Sequence, residues 1–489
     1  MRAIFEPNRS ANVLLPQSMA AVDAAAISAG ADGYALMRRA GGACVRVIRG
    51  RFSRRPVSIL CGPGQNGGDG WVIAEALRQA GWPVRVHSLV QVDALAGAAR
   101  QAAERAMIAP EPLEALEVEE AGLVVDALFG TGLTRDLEGA ARAVIERVAA
   151  TDLPVIAVDM PSGVDGATGE IRGAAAQVVL TVTFHMAKPG QLLWPGAGMC
   201  GDLLVADIGL AGGAPDALRN GPELWTLPRP EAPTHKYERG HVVIFGGGPH
   251  SGGAARLSAH AAARAGAGAV TLAAPEEALG VYANHLDAIM VRDSGAPAKA
   301  GALVRNAKAK AAVIGPGAGR TDETRSRVLA LLAQKTALVL DADALTVFED
   351  TPDTLFAALS PETVLTPHEG EFSRLFGDIA GDKLTRCKAA AERAGATVLL
   401  KGPDTVIAAP GEVPVISDHS TPWLATAGAG DVLAGVIAAL LAQGLPAREA
   451  AAAGAYIHGE AGRRGGAGLT ADVLPGLVAE AYRDLLPAG

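Results

Sequence analysis

Short apolar runs recur along this chain, most of them a strand's length, and many are followed by stretches with apolar residues three and four apart. Runs bounded by glycine, proline or polar residues predict buried strands, and the 3.6-residue period predicts helices. In the first half the predicted strands are 56–61, 83–89, 122–127, 154–159 and 177–184. In the second half they are 241–246, 268–273, 311–315, 337–341, 363–366 and 396–401. Amphipathic stretches at 70–80, 252–266, 321–333 and 383–394 separate many of them. Such alternation predicts an α/β fold in which helices cover both faces of parallel sheets.

The alternation breaks at residues 212–240, which carry five prolines and no sustained period and read as a linker. Two three-layer α/β domains are therefore expected, 1–225 and 226–489. A chain of 489 residues is long enough for a core in each. Composition narrows the class. The chain is 49% hydrophobic with a net charge of −9, and no run of Lys and Arg offers a nucleic-acid surface. Cys44, Cys61, Cys200 and Cys387 lie far apart without metal-ligand spacing, so buried reduced thiols are expected. The apolar runs, such as 432–442, are too short to span a bilayer, and the first residues lack the apolar stretch of a signal peptide. A cytoplasmic protein without a membrane partner is the expectation.

The first candidate for chemistry is CGPGQNGGDG, residues 61–70, which follows a predicted strand. Gly62, Gly64 and Gly67 satisfy the spacing of a dinucleotide fingerprint, but the acidic residue it requires about 20 positions later is missing. Asp93 falls too late. Asn66 and Asp69 instead place an amide and a carboxylate in the loop, chemistry suited to a cation or a polar ring beside phosphates. Asp126 precedes a second glycine turn, and Asp159, Ser162 and Asp165 follow another strand. The C-termini of parallel strands converge on one crevice, so these loops should meet.

GPGQNGGDG, DALFGTGL, DMPSGVDG and TFHMAKPG, in that order, resemble the motifs of the YjeF N-terminal family, the NAD(P)HX epimerases. The likeness covers nearly all of residues 15–215. It implies interconversion of the R and S forms of NADHX and NADPHX, nicotinamide cofactors hydrated at C6. It also implies K⁺ at Asn66, Asp126 and Ser162, and substrate contacts from Gln65, Asn66, Gly67, Gly68 and Asp69. Further contacts are implied for Gly130, Thr131, Gly132, Leu133, Thr134, Arg135, Asp136 and Asp159. Asp159 and Lys188 are the candidates for acid–base chemistry at C6, the alternative being a structural ion pair. Two departures stand out: Gln65 where the family has Asn, and Arg38-Arg39 where it has an acidic residue.

In the second half, TAGAGDVLAGVIAALL at 426–441 opens a long apolar helix with two glycines and an acid. Glycines let backbone N–H groups approach a phosphate at a helix N-terminus, and Asp431 would then act as a base toward a hydroxyl. The string resembles the anion hole of ribokinase-like kinases. With VIGPGAG, LVLDADAL, LTPHEGEFSRL and LLKGPDTVI it resembles the ADP/ATP-dependent NAD(P)HX dehydratases over about 234–485. That resemblance implies that Ala254, Gly317, His368 and Asp431 contact the hydrated dinucleotide. ADP or ATP, with Mg²⁺, would meet Lys401, Gly402, Pro403, Asp404, Thr405, Gly428 and Gly430. Asp341 and Asp343 either approach Mg²⁺ or cap the next helix. Trp423 either packs on adenine or is a surface residue.

Three functions compete: a bifunctional repair enzyme, a vitamin-precursor kinase with an accessory domain, and a dehydratase fused to a non-catalytic dinucleotide-binding module. TPHEGE and the fused first domain favour repair over the kinase. The set Asn66, Asp126, Asp159, Ser162 and Lys188 favours a catalytic first domain. Expected partners are NADHX, NADPHX and ADP or ATP, with assembly as a homo-oligomer.

Overall fold

The computed structural model describes residues 11–118 and 122–486, and the chain divides into two compact units between Ala217 and Leu218. The boundary lies a few residues before the expected one because the segment read as linker is partly built into the second core. Trp225 and Leu227 are buried there, and the Asn220 amide donates to Ser417 and to the Ala452 carbonyl. No described helix is long and apolar enough to cross a membrane.

The first unit holds a parallel sheet of β1 (Val57–Cys61), β2 (Val84–Ser88), β3 (Glu111–Pro112), β4 (Leu123–Ala127), β5 (Val155–Val158), β6 (Leu180–Phe184) and β7 (Asp202–Ala206). Their spatial order is β3-β2-β1-β4-β5-β6-β7. Every residue of β1, β4 and β5 is buried, as apolar strands covered on both faces must be. Ile59 and Val125 join one core with Trp71, while their neighbours Leu60 and Val124 join another with Ile145. The helices include α1 (Pro16–Ser28), α2 (Gly33–Arg51), α3 (Gln65–Gln79), α4 (Gly97–Ala106) and α5 (Gly139–Ala149). The strand order reverses between β1 and β4, and a crevice opens past the C-termini of strands at such a switch point.

The second unit is built on β8 (Ala217–Arg219), β9 (His241–Phe245), β10 (Ala269–Ala274), β11 (Met290–Asp293), β12 (Ala311–Ile314) and β13 (Ala337–Leu340). It continues with β14 (Thr363–Leu365), β15 (Thr397–Leu400), β16 (Thr405–Ala408) and β17 (Val415–Ser417). The order is β8-β17-β16-β15-β14-β13-β12-β9-β10-β11, with the switch between β9 and β12. Its helices include α6 (Gly252–Arg264), α7 (Asp322–Leu332), α8 (Glu369–Phe376), α9 (Lys383–Ala394), α10 (Ala429–Ala442) and α11 (Ala447–Gly465). Helix α10 is apolar all round because it is buried, packing against α6 and α11 with nearly every side chain inside.

Two expectations need correction. The second sheet is not wholly parallel, because β16 pairs antiparallel with both β15 and β17. Helix α3 begins at Gln65 rather than near residue 70, so Asn66, Gly67, Gly68 and Asp69 lie in its first turns and not in a loop. Close packing explains the glycines: a Cβ at Gly62 would collide with the Leu128 carbonyl, and one at Gly67 with the Gly62 backbone.

Candidate active sites

The first crevice holds a cavity of about 730 Å³. Asp23 from α1, Gln65, Asn66 and Asp69 from α3, the turn 128–132 after β4, Asp159 and Lys188 line it. Asp159 follows β5 with φ 64°, a conformation that is uncommon outside glycine. Its Oδ1 accepts from Lys188 Nζ at 2.8 Å and from Thr183 Oγ1 at 2.9 Å, and its Oδ2 accepts from the Thr131 N–H at 3.2 Å. Lys188, only 1% exposed, also donates to Thr183 Oγ1 and the Phe184 carbonyl. Burial alone would raise the Asp159 pKa, but the Lys188 charge and these hydrogen bonds outweigh it and hold the carboxyl below the usual range. Asp69 in the same cavity is pushed well above that range, by burial first and then by the negative charges of Asp159 and Asp23.

Beneath the cavity wall, Asp126 accepts from the Ser162 N–H at 2.8 Å and from Ser162 Oγ at 2.6 Å. Ser162 Oγ in turn accepts from the Phe129 N–H. Neither polar atom of the buried Asn66 amide has a hydrogen-bond partner, and the amide faces Gly130, whose Cβ position lies 3.3 Å from Asn66 Oδ1. An orphaned amide oxygen and a buried carboxylate on either side of one short turn are hard oxygen donors of the type K⁺ takes, so these residues fit that ion.

The second crevice gathers charge around the start of α10. Gly428, at φ 93°, forms the N-cap, a conformation suited to glycine. Lys401 Nζ stands 3.4 Å from the Cβ position of Gly430, donates to Asp341 Oδ1 at 2.8 Å and lies 3.8 Å from Glu371. Asp431 is surrounded differently from Asp159. Burial, followed by the charge of Asp341, raises its pKa to about 6; Lys401 opposes the shift, while Asp343 and Glu371 add to it. Gly317, at φ 66°, accepts at its carbonyl from Ser251 Oγ, and its Cβ position is 3.4 Å from Ala254. Among the described residues no three His, Cys, Asp or Glu side chains form a metal-binding group.

Other expected residues separate by role. Gly130, Thr131 and Gly132 line the first cavity, but Leu133 turns into the apolar core and Thr134, Arg135 and Asp136 do not line the cavity. Gly67 and Gly68 face Gly62 and Met37, so they serve the close helix–strand approach. His368 caps α8, its Nδ1 accepting from the Gly370 and Glu371 N–H groups, which leaves its half-exposed Nε2 as the donor. Neither member of the Asp341–Asp343 pair caps a helix: Asp341 binds Lys401 and Thr366, and Asp343 accepts from the Gly319 N–H. Asp404 is buried against Lys383, and Thr405 Oγ1 closes the turn on Gly402. Trp423 is about half exposed. Arg39 donates to the Ile208 carbonyl, a structural use for one member of the unexpected pair. Sequence reasoning missed Asp23, a lone carboxylate on the alanine-rich α1 between the buried Met19 and Val22 and the cavity.

Two doubly wound sheets, each with a polar crevice at its switch point, define a two-site α/β enzyme. Residues 33–190 match the family model of the YjeF-related protein N-terminus, and residues 242–482 match that of NAD(P)H-hydrate dehydratase. The chain is 38% identical to the bifunctional NAD(P)H-hydrate repair enzyme Nnr of Moorella thermoacetica, covering 85% of this chain and 84% of that protein. It is 37% identical to the enzyme of the same name from Thermofilum pendens, over 92% of each chain. A crystal structure of the ADP/ATP-dependent NAD(P)H-hydrate dehydratase of Bacillus subtilis, co-crystallized with ATP/Mg²⁺, is 25% identical. It covers 53% of this chain and 95% of its own, at a TM-score of 0.47. The chain belongs to the family of bifunctional NAD(P)H-hydrate repair enzymes.

Proposed function

We propose that the first unit epimerises NADHX and NADPHX at C6 and that the second dehydrates the S form at the expense of ADP or ATP. The observation that carries this division is that each crevice holds one aspartate placed as a proton acceptor, in opposite charge surroundings. Asp159 is held ionised beside Lys188, and Asp431 is crowded by carboxylates.

In the first reaction C6 bears both a hydroxyl and the ring nitrogen N1. Opening the C6–N1 bond and closing it on the other face inverts the centre; it requires one proton removed from the hydroxyl and one delivered to N1. Asp159 accepts the hydroxyl proton, and Lys188 keeps it ionised. Asp69, whose charged form burial disfavours, is the proton-bearing group in the same cavity. Gln65, Asn66 and the turn 130–132 bind the dinucleotide. Asn66, Asp126 and Ser162 would hold K⁺, which supplies fixed positive charge to an anionic substrate.

In the second reaction hydroxide is a poor leaving group, and phosphate replaces it. Asp431 takes the proton of the C6 hydroxyl as its oxygen attacks the terminal phosphoryl of ADP or ATP, releasing AMP or ADP. The lone pair of N1 then expels phosphate from C6, and loss of a proton from C5 leaves the C5=C6 double bond of NAD(P)H. Backbone N–H groups at the start of α10 and Lys401 face the transferring group, which bears most of the developing charge. Mg²⁺ bound with the nucleotide would add to that neutralisation.

Wild-type protein given mixed NADHX epimers, Mg²⁺ and ADP or ATP should produce NADH, followed by absorbance. No NADH with either nucleotide would refute the reading.

A further inference from the structure

A second cavity, of about 890 Å³, lies in the dehydratase unit and is absorbed by none of the roles assigned above. Gly253, Leu257, Ala427 and Ala471 form one part of its wall. That part abuts the anion-hole turn, since Leu257 Cδ1 and the Ala471 Cβ lie 2.7 and 2.9 Å from the Cβ position of Gly428. Gly253 also adjoins Ala254, the residue packed against Gly317.

From there α6 lays three nitrogen bases along the wall: Arg256, His260 and Arg264. They are four residues apart, so they share one helix face and span about 12 Å. The Nε of Arg256 is buried without a hydrogen-bond partner. Among the described residues neither Arg256 nor Arg264 has a carboxylate within ion-pair distance, although Asp472 lines the same cavity. A buried guanidinium nitrogen without a partner is costly unless a ligand supplies an acceptor. Phosphate, like carboxylate, offers the paired oxygens that the guanidinium fork matches.

We infer that this groove binds the phosphate arm of the dinucleotide substrate, with Arg256 on the pyrophosphate and Arg264 on the 2′-phosphate that distinguishes NADPHX from NADHX. The inference rests on the dehydratase reading of this unit. The wall of the groove abuts the Gly428 turn, whose Cβ position lies 3.8 Å from Asp431 Oδ2, and the groove leads away from that turn along α6. The residues that the resemblance gives to the adenine nucleotide, Lys401–Thr405, do not line the groove.

The test is steady-state kinetics of the full chain with S-NADHX and S-NADPHX, each at saturating ADP, and then with ADP varied. Arg256→Gln should raise KM about tenfold or more for both dinucleotides. Arg264→Gln should raise it for NADPHX by a similar factor and leave NADHX within about twofold. In both variants kcat and the KM for ADP should stay within about twofold, and Arg264→Lys should recover part of the loss. Arg264 is exposed, so its substitution keeps the test valid if Arg256→Gln misfolds. Unchanged dinucleotide KM in folded Arg264→Gln, or a rise in the KM for ADP instead, would overturn the groove assignment alone. A wild-type enzyme that forms no NADH would overturn the dehydratase reading and the groove with it.

Discussion

The reactions proposed for the two crevices each rely on one aspartate, and the crevices set the charge of these aspartates in opposite ways. Asp159 has a buried lysine at 2.8 Å, a threonine hydroxyl and a backbone N–H on its oxygens. Asp431 has Asp341, Asp343 and Glu371 around it, and the lysine that would balance it is committed to Asp341. The first aspartate stays ionised well into acid. The second gives up its proton only near pH 6. A residue type alone therefore does not define a base; the charges within a few ångströms set the pH range in which it can act.

The largest effect should come from Asp431→Asn, which keeps size and removes the base. Dehydration should fall by about 10²–10⁴ while ADP binding, measured by calorimetry, changes by only a few-fold. Dehydration near the wild-type rate would remove Asp431 from its role. Lys188→Met attacks the other side of the comparison. It strands the Asp159 carboxylate in a buried site, so thermal or urea unfolding should show about 3–5 kcal/mol lost and epimerase activity should be abolished. A stable, active variant would show that the pair is dispensable.

The pH dependence sharpens the contrast. The kcat/KM of dehydration should drop as pH falls below about 6, because protonated Asp431 cannot accept a proton. Epimerisation should persist to lower pH. The sign for stability is opposite: a raised carboxyl pKa costs stability as pH climbs from the unfolded value toward and past the folded one. Asp431→Asn should therefore stabilise the protein by roughly 2–3 kcal/mol at pH 8, with the gain vanishing near pH 4. Matched melting curves at the two pH values test this. The smallest effect concerns K⁺. Asp126→Asn should weaken dinucleotide binding modestly and flatten its response to K⁺, and an unchanged K⁺ response would remove Asp126 from the ion's site.

Much of this arrangement was legible in the sequence because buried parallel strands are uniformly apolar and end in glycine-rich turns. The strands of both sheet centres were found within a residue or two at nearly every end. Others were not: Asp202–Ala206 and Met290–Asp293 lie at sheet edges and are buried over only part of their length or not at all, and Thr405–Ala408 and Val415–Ser417 are too short to show a period. Helix α3 was expected late because glycines argue against a helix, whereas here Gly67 and Gly68 are needed for contact with Gly62 and Met37. Motif strings held Asp159, Lys188, Lys401 and Asp431, and the structure adds how they pair, Lys188 with Asp159 and Lys401 with Asp341. Asp341 and Asp343 reach Asp431 from one segment and Glu371 from another, and Asp23 reaches its cavity from a helix that carries no motif. Arg256, His260 and Arg264 lie in the amphipathic stretch 252–266, whose period says nothing of the cavity they line.

Complementation between full-length variants tests directly whether two separate aspartates perform two successive reactions. Mixed NADHX epimers, ADP and Mg²⁺ are given to Asp159→Ala, to Asp431→Asn and to an equimolar mixture, and NADH is followed by absorbance. Asp431→Asn should form almost none. Asp159→Ala should convert the S fraction quickly and then slow to the rate of spontaneous epimerisation. The mixture should convert both epimers to completion. Full conversion by Asp159→Ala alone at the wild-type rate, or a mixture no faster than Asp159→Ala, would contradict the account.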